Sequence, residues 1–185
     1  MGYFYYLQSS IFNSGLSGLG AEHGSSRQES LSLQWDGIDF EYDGIGIINF
    51  FRTKNKRERL EYLMPRTKKA LLEWKSHLEI TRHRKRIHPI ETRFVFCRLN
   101  GQPIKRFDSA WRHICKIAKI KDFHYHDLRH TFCSNLLLSG DNIKDVKEMI
   151  GHSDISMTDR YSHLTLNHHK AMQEKLAKHY EITTN

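Results

Sequence analysis

The sequence predicts an α+β domain, mainly helical, with a small three-stranded antiparallel sheet at one edge. Between residues 38 and 63 apolar side chains alternate and are interrupted by turn signals, the period of half-buried strands. After Pro65 the apolar spacing becomes helical to about residue 81, and from Asp108 on it is helical again. A chain of 185 residues suits one domain with a real core and is short for two.

Residues 3–13 read as an apolar helix, and the Gly- and Ser-rich stretch 14–26 as a loop. A short helix over 27–33 leads to Trp35. Ile38, Phe40 and Tyr42 alternate as a first strand, Asp43-Gly44 makes a turn, and Gly44–Phe51 is a second strand. Thr53-Lys54-Asn55-Lys56 turns the chain into a third strand over Arg59–Leu63. An amphipathic helix follows Pro65 to about residue 81, and Arg82–Arg86 reads as a charged loop and a candidate nucleic-acid contact. Phe94-Val95-Phe96 forms a short strand closing on Asn100-Gly101. Ala110, Trp111, Ile114, Cys115 and Ala118 make one apolar stripe behind an N-cap at Asp108 or Ser109. Further helices are expected at 126–138, 142–150, 154–162 and 166–180, with Gly140 and Gly151 as stops.

Lys and Arg number 29 against 21 Asp and Glu, a formal charge of +8, which suits a polyanionic partner. Cys97, Cys115 and Cys133 are far apart, which fits free thiols in a reducing, cytoplasmic setting rather than a disulfide framework or thiolate zinc site. No apolar run approaches the roughly 20 residues of a membrane span, so no membrane partner is expected.

The densest chemistry lies in His126-Asp127-Leu128-Arg129-His130, followed by Gly151-His152 and Tyr161. Helical spacing brings His126 and Arg129 onto neighbouring positions, and arginine's planar fork matches a phosphate. Two histidines four apart also occur in zinc proteases. Here Asp127 is a short base, Arg129 would repel a dication, and no third ligand stands out. Carboxylates that could hold Mg²⁺ are spread over helix starts, so no metal or other cofactor is expected.

Together with Leu137-Leu138, Gly140, Ile150-Gly151-His152-Ser153 and Met157 to His163, this run resembles the catalytic domain of tyrosine recombinases, the phage integrase family. The resemblance covers residues from about 11 to 165. It implies cleavage of one DNA strand by Tyr161, a 3′-phosphotyrosine intermediate, and rejoining to a different strand. It also implies that Arg129 and His152 stabilise charge on the phosphate, and that His126 assists proton transfer. Lys54 matches the strand-turn lysine that protonates the leaving 5′ oxygen. Chemically the set is coherent: a phenol with a reference pKa of about 10 needs a base and an electropositive pocket before it attacks.

Two departures from the family's pattern are visible. Its first arginine lies in T-G-x-R-x-x-E, six residues ahead of a tryptophan. Here Asn13-Ser14-Gly15-Leu16 and Arg27 to Trp35 match the flanks, with a long insertion expected between them. Counting back from Glu29 gives Ser26, and Arg27 is one place late, a displaced stand-in. The N-terminal core-binding domain of the family does not fit ahead of Met1, so residues 1–185 are expected to be the catalytic domain alone. The expected function is site-specific DNA strand exchange. The alternative is a truncated, catalytically impaired remnant that only binds DNA. Double-stranded DNA is the expected partner, with a homo-tetramer on DNA and a monomer when free. Residues 166–180 are the candidate segment for exchange between protomers.

Overall fold

A computed structural model describes residues 10–51, 58–87, 92–150 and 173–174. The chain forms two compact units divided between Arg129 and His130. Helix α1 spans Ser10–His23 and α2 Arg27–Ser32. The strands are β1 (Ile38–Asp39), β2 (Ile47–Phe51) and β3 (Glu58–Tyr62). Helices α3 (Pro65–Arg84), α4 (Asp108–Ile117), α5 (Tyr125–Ser139) and α6 (Ile143–Ile150) follow.

The sheet has the order β1-β2-β3, antiparallel throughout, with Ile48 opposite Glu61 and Phe50 opposite Arg59. That is the expected three-stranded sheet. Its first strand is shorter than the alternation predicted, because Tyr42–Gly44 tightens into a 3₁₀ turn. Asp43 and Gly44 both take positive φ, 51° and 71°, the Asp-Gly turn read from the sequence. Gly46 follows at φ 106°, where an added Cβ would lie 3.0 Å from the Phe40 carbonyl oxygen.

The largest correction concerns residues 14–26. They do not form a loop: α1 continues to His23 through Gly15, Gly18 and Gly20. These glycines give up helix propensity for close approach. A Cβ on Gly18 would sit 2.6 Å from Thr67 Oγ1, and one on Gly20 2.5 Å from Leu128 Cδ1. Helices α3 and α5 therefore lie almost directly on the α1 backbone. The residues expected to form an inserted loop are the body of α1 up to His23.

Two smaller differences have similar causes. Arg82–Arg84 of the expected charged loop are the last turn of α3, with Lys85 as its C-cap, and Arg82 is buried, donating from Nε to the Leu99 carbonyl at 3.1 Å. Phe94 and Cys97 make isolated bridges to Gln34 and Pro103 rather than a strand of the sheet. Asp108 lies in the first turn of α4, with Phe107 at the cap position and no side-chain cap.

In the first unit the core gathers Phe12, Leu16, Ile48, Phe50, Leu71, Trp74 and Phe96. Phe12 stands edge-on to both Trp74 and Phe96, and Trp74 donates its indole N–H to the Val95 carbonyl at 2.7 Å. Tyr125, at the start of α5, donates to the Leu16 carbonyl at 2.9 Å and has its oxygen 2.8 Å from the Ser30 hydroxyl. Burial pushes its phenol up to about 12. One buried hydroxyl thus ties α5 to α1 and α2. The second unit has its own cluster of Phe132, Cys133, Leu137, Val146 and Ile150. Among the described residues no helix is long and apolar enough to cross a membrane.

Candidate active site

The turn from α1 into α2 organises the site. Gly24 takes φ 56°, the left-handed conformation that lets a helix end and the chain reverse. Ser26 then caps α2. Its hydroxyl accepts from the Glu29 N–H at 3.2 Å, and the Glu29 carboxylate accepts from the Ser26 N–H at 2.7 Å. This reciprocal pair is spelled by Ser-x-x-Glu in the sequence. Laid on His23 to Glu29, the pattern T-G-x-R-x-x-E puts its glycine on Gly24, its glutamate on Glu29 and its arginine on Ser26. The departure is a substitution at one position rather than an expanded loop.

Arg129 is buried on α5 and points back at this turn. Its Nη1 donates to the Gly24 carbonyl at 3.0 Å and to Glu29 Oε2 at 3.2 Å. His126, one helical turn earlier, is exposed, so neighbouring helical positions here do not share one environment. Asp127 stabilises the start of α5 by accepting from the His124 N–H at 2.6 Å.

Sequence reasoning missed the buried charges beside Arg129. Arg59 on β3 donates to the His23 carbonyl at 2.8 Å, pairs with Glu61, and lies with its guanidinium carbon 4.4 Å from the centre of the Phe50 ring. Its Nε is 3.9 Å from Glu29 Oε1. Burial would push the Glu29 carboxyl up. The Ser26 N–H and the guanidinium charges of Arg59 and Arg129 outweigh it and hold Glu29 below its usual value. His23 Nδ1 lies 2.9 Å from Glu61, and the Met64 N–H points at its Nε2 from 3.4 Å. A ring that accepts at Nε2 is neutral, and burial together with Arg59 lowers its pKa to about 4.

Arg27 goes elsewhere. Its Nη1 pairs with Asp108 at 2.7 Å, and its guanidinium lies 6.0 Å from the centre of the Phe107 ring. A hydrogen bond from Arg106, and then the charge of Arg27, hold Asp108 below the usual carboxylate range against the opposing effect of burial. Arg27 and His126 do meet in one place: both line an open cavity of about 610 Å³ with Phe107, Trp111, Arg112 and Lys116. The geometry therefore gathers His126 and Arg27 on the wall of a cavity that also carries Asp108 and Asp122, and Arg129 with Glu29 and Arg59 in a buried network. Lys54, His152 and Tyr161 lie outside the described residues, as do the helices expected at 154–162 and most of 166–180. Among the described residues no three His, Cys, Asp or Glu side chains cluster as metal ligands.

A family model described as the phage integrase family matches residues 9–168. Tyrosine recombinase XerD of Listeria monocytogenes serotype 4b (strain F2365) is 32% identical over 141 residues, which is 74% of this chain and 45% of that protein. The chain thus spans less than half the length of that relative. Among solved structures, XerH site-specific recombinase bound to a palindromic difH substrate aligns with 97% of this chain and 50% of its own, at 20% identity and a TM-score of 0.67. The catalytic domain of bacteriophage HP1 integrase aligns with 92% of this chain and 89% of its own, at 23% identity and a TM-score of 0.59. At such identities the structural likeness speaks to the fold.

Proposed function

We propose, because this chain belongs to the phage integrase family, that it is the strand-cleaving and strand-joining domain of a site-specific DNA recombinase. The observation that carries this reading is the setting of Arg129. A buried guanidinium is fixed by Gly24 and Glu29, the glycine and glutamate of the family's own turn, with His126 one helical turn away at an open cavity.

In this reading the Tyr161 oxygen attacks a backbone phosphorus of double-stranded DNA. The P–O bond to the 5′ oxygen breaks as a 3′-phosphotyrosine forms, and Lys54 gives that oxygen its proton. A 5′-hydroxyl from another strand then attacks the phosphotyrosine and releases the phenol. The ester conserves the energy of the broken bond, so no nucleotide cofactor is required. Arg129 and His152 stabilise charge on the non-bridging oxygens, and His126 holds the phosphate and moves the proton. Arg27 contributes a cation at the cavity only by giving up its pair with Asp108. Ser26, where the pattern has arginine, removes one donor to the phosphate. Such a loss typically slows chemistry by about 10²–10³. The protein works as a tetramer on DNA and is a monomer when free.

The test is a nicked duplex on which cleavage releases a short fragment and traps the adduct. The unaltered chain is expected to form a covalent protein–DNA species and Tyr161→Phe none. An adduct persisting in Tyr161→Phe overturns Tyr161 as nucleophile, and no adduct from either protein overturns the strand-transfer reading.

A further inference from the structure

β3 is patterned inside out. Its inward positions carry Arg59 and Glu61, 8% and 7% exposed, while Leu60 and Tyr62 face outward at 63% and 54%. A strand against a core normally turns its apolar set inward, since burying a charge is costly unless it is paired and hydrogen-bonded. Two charges held at inward positions therefore call for a reason beyond packing.

The partners supply one. Glu29 Oε1 lies 3.9 Å from Arg59 Nε, and Glu29 Oε2 is 3.2 Å from Arg129 Nη1. Each carboxylate oxygen faces a different guanidinium. Arg59 is anchored independently by the His23 carbonyl, by Glu61 and by the Phe50 ring beneath it. The Ser26 N–H also holds Glu29 at Oε2. A carboxyl group turns freely about its terminal torsion, whose energy wells are broad. The Ser26 N–H and Arg129 both meet Oε2, and the Arg59 charge beside Oε1 holds the other end of that torsion.

We propose that Arg59 is a positioning residue: it fixes the plane of Glu29, and through Glu29 the guanidinium of Arg129. The inside-out pattern of β3 exists to place it there. Its consequence for catalysis rests on the strand-transfer reading; its hold on Glu29 does not. With Ser26 in place of arginine, Arg129 carries more of the phosphate's charge, and an error in its placement costs correspondingly more. Misplacement of a charged group by about 1 Å can cost on the order of 10²-fold in rate.

Two measurements separate this from a structural role. The first follows the Glu29 carboxyl carbon by NMR as pH is lowered. Arg59→Met is expected to move its titration to higher pH, and Arg59→Lys to restore it in part. An unmoved titration in folded Arg59→Met overturns the inference. The second is adduct formation on nicked DNA. Arg59→Met is expected to slow it by about 10–100-fold, and to add little further slowing in a Glu29→Gln background, as residues acting in series should. A methylphosphonate at the cleavage position, which carries one charge fewer, should restore much of the lost rate to Arg59→Met, as it should to Arg129→Met. Full additivity with Glu29→Gln, or no rescue by the neutral phosphate, overturns the positioning role. If the unaltered chain forms no adduct, the strand-transfer reading falls, and the Glu29 titration alone decides whether Arg59 holds that carboxylate.

Discussion

At the scale of single residues, His23 shows how a buried network writes itself into stability. Its imidazole is packed among Glu61, Arg59, Glu22 and the Met64 N–H, and it titrates near 4 rather than 6.5 because burial disfavours its charged form. As pH falls, the unfolded chain binds this proton first. The stabilisation is complete above about pH 6.5, erodes as pH falls from 6.5 towards 4, and about 3 kcal/mol is gone at the lower end. Glu29, whose carboxyl is held low, adds a loss of the same sign in acid. Melting temperatures taken from pH 7 to pH 4 should therefore drop more steeply for the unaltered chain than for His23→Gln. Parallel curves would remove His23 from the account. Ser26 is equally informative: the residue that displaces the family's arginine is also the cap of α2, so a donor to phosphate has been exchanged for an acceptor at a helix end.

At the scale of elements, α1 is the clearest departure from what local preference dictates. Its glycines weaken it as an isolated helix, by roughly 1 kcal/mol each relative to alanine. The close approach of α3 and α5 explains why they are tolerated. Gly20→Ala tests this. In an uncongested helix it would stabilise; here the new methyl meets Leu128 Cδ1 and Cβ, and a loss of about 1–3 kcal/mol is expected from overpacking. Adding Leu128→Ala should make the Gly20→Ala change less costly, because it removes Cδ1 and leaves only Cβ close to the new methyl. A Gly20→Ala protein that melts higher than the original would show that α5 does not press on α1. The same contact positions the catalytic candidates, since Leu128 precedes Arg129. The tight seating of α5 on Gly20 helps set where that guanidinium starts.

Across the whole molecule the charge excess of +8 bears on the proposed partner. If duplex DNA is held through about four phosphate contacts, raising salt from about 50 to 200 mM should weaken binding by about a hundredfold, whatever the sequence. A flat salt dependence would remove electrostatic DNA binding from the proposal. Base-specific recognition would appear instead as an affinity difference between sequences at fixed salt.

The sequence by itself determined the fold class, the helices from Pro65 to Ile150, the Asp43-Gly44 turn and the family, because apolar period, turn chemistry and motif order are local properties that no distant contact rewrites. It also held signals that a reading by composition passes over: Ser-x-x-Glu for the cap of α2, and inward charges at alternating positions of β3. Only the tertiary structure decided that a Gly-rich stretch is a helix, that Arg27 turns to Asp108, and that Arg59 and Arg129 share one carboxylate. Those outcomes depend on which surfaces meet across long separations in the chain. A glycine's freedom or an arginine's charge specifies nothing until the neighbour that needs it has been brought alongside.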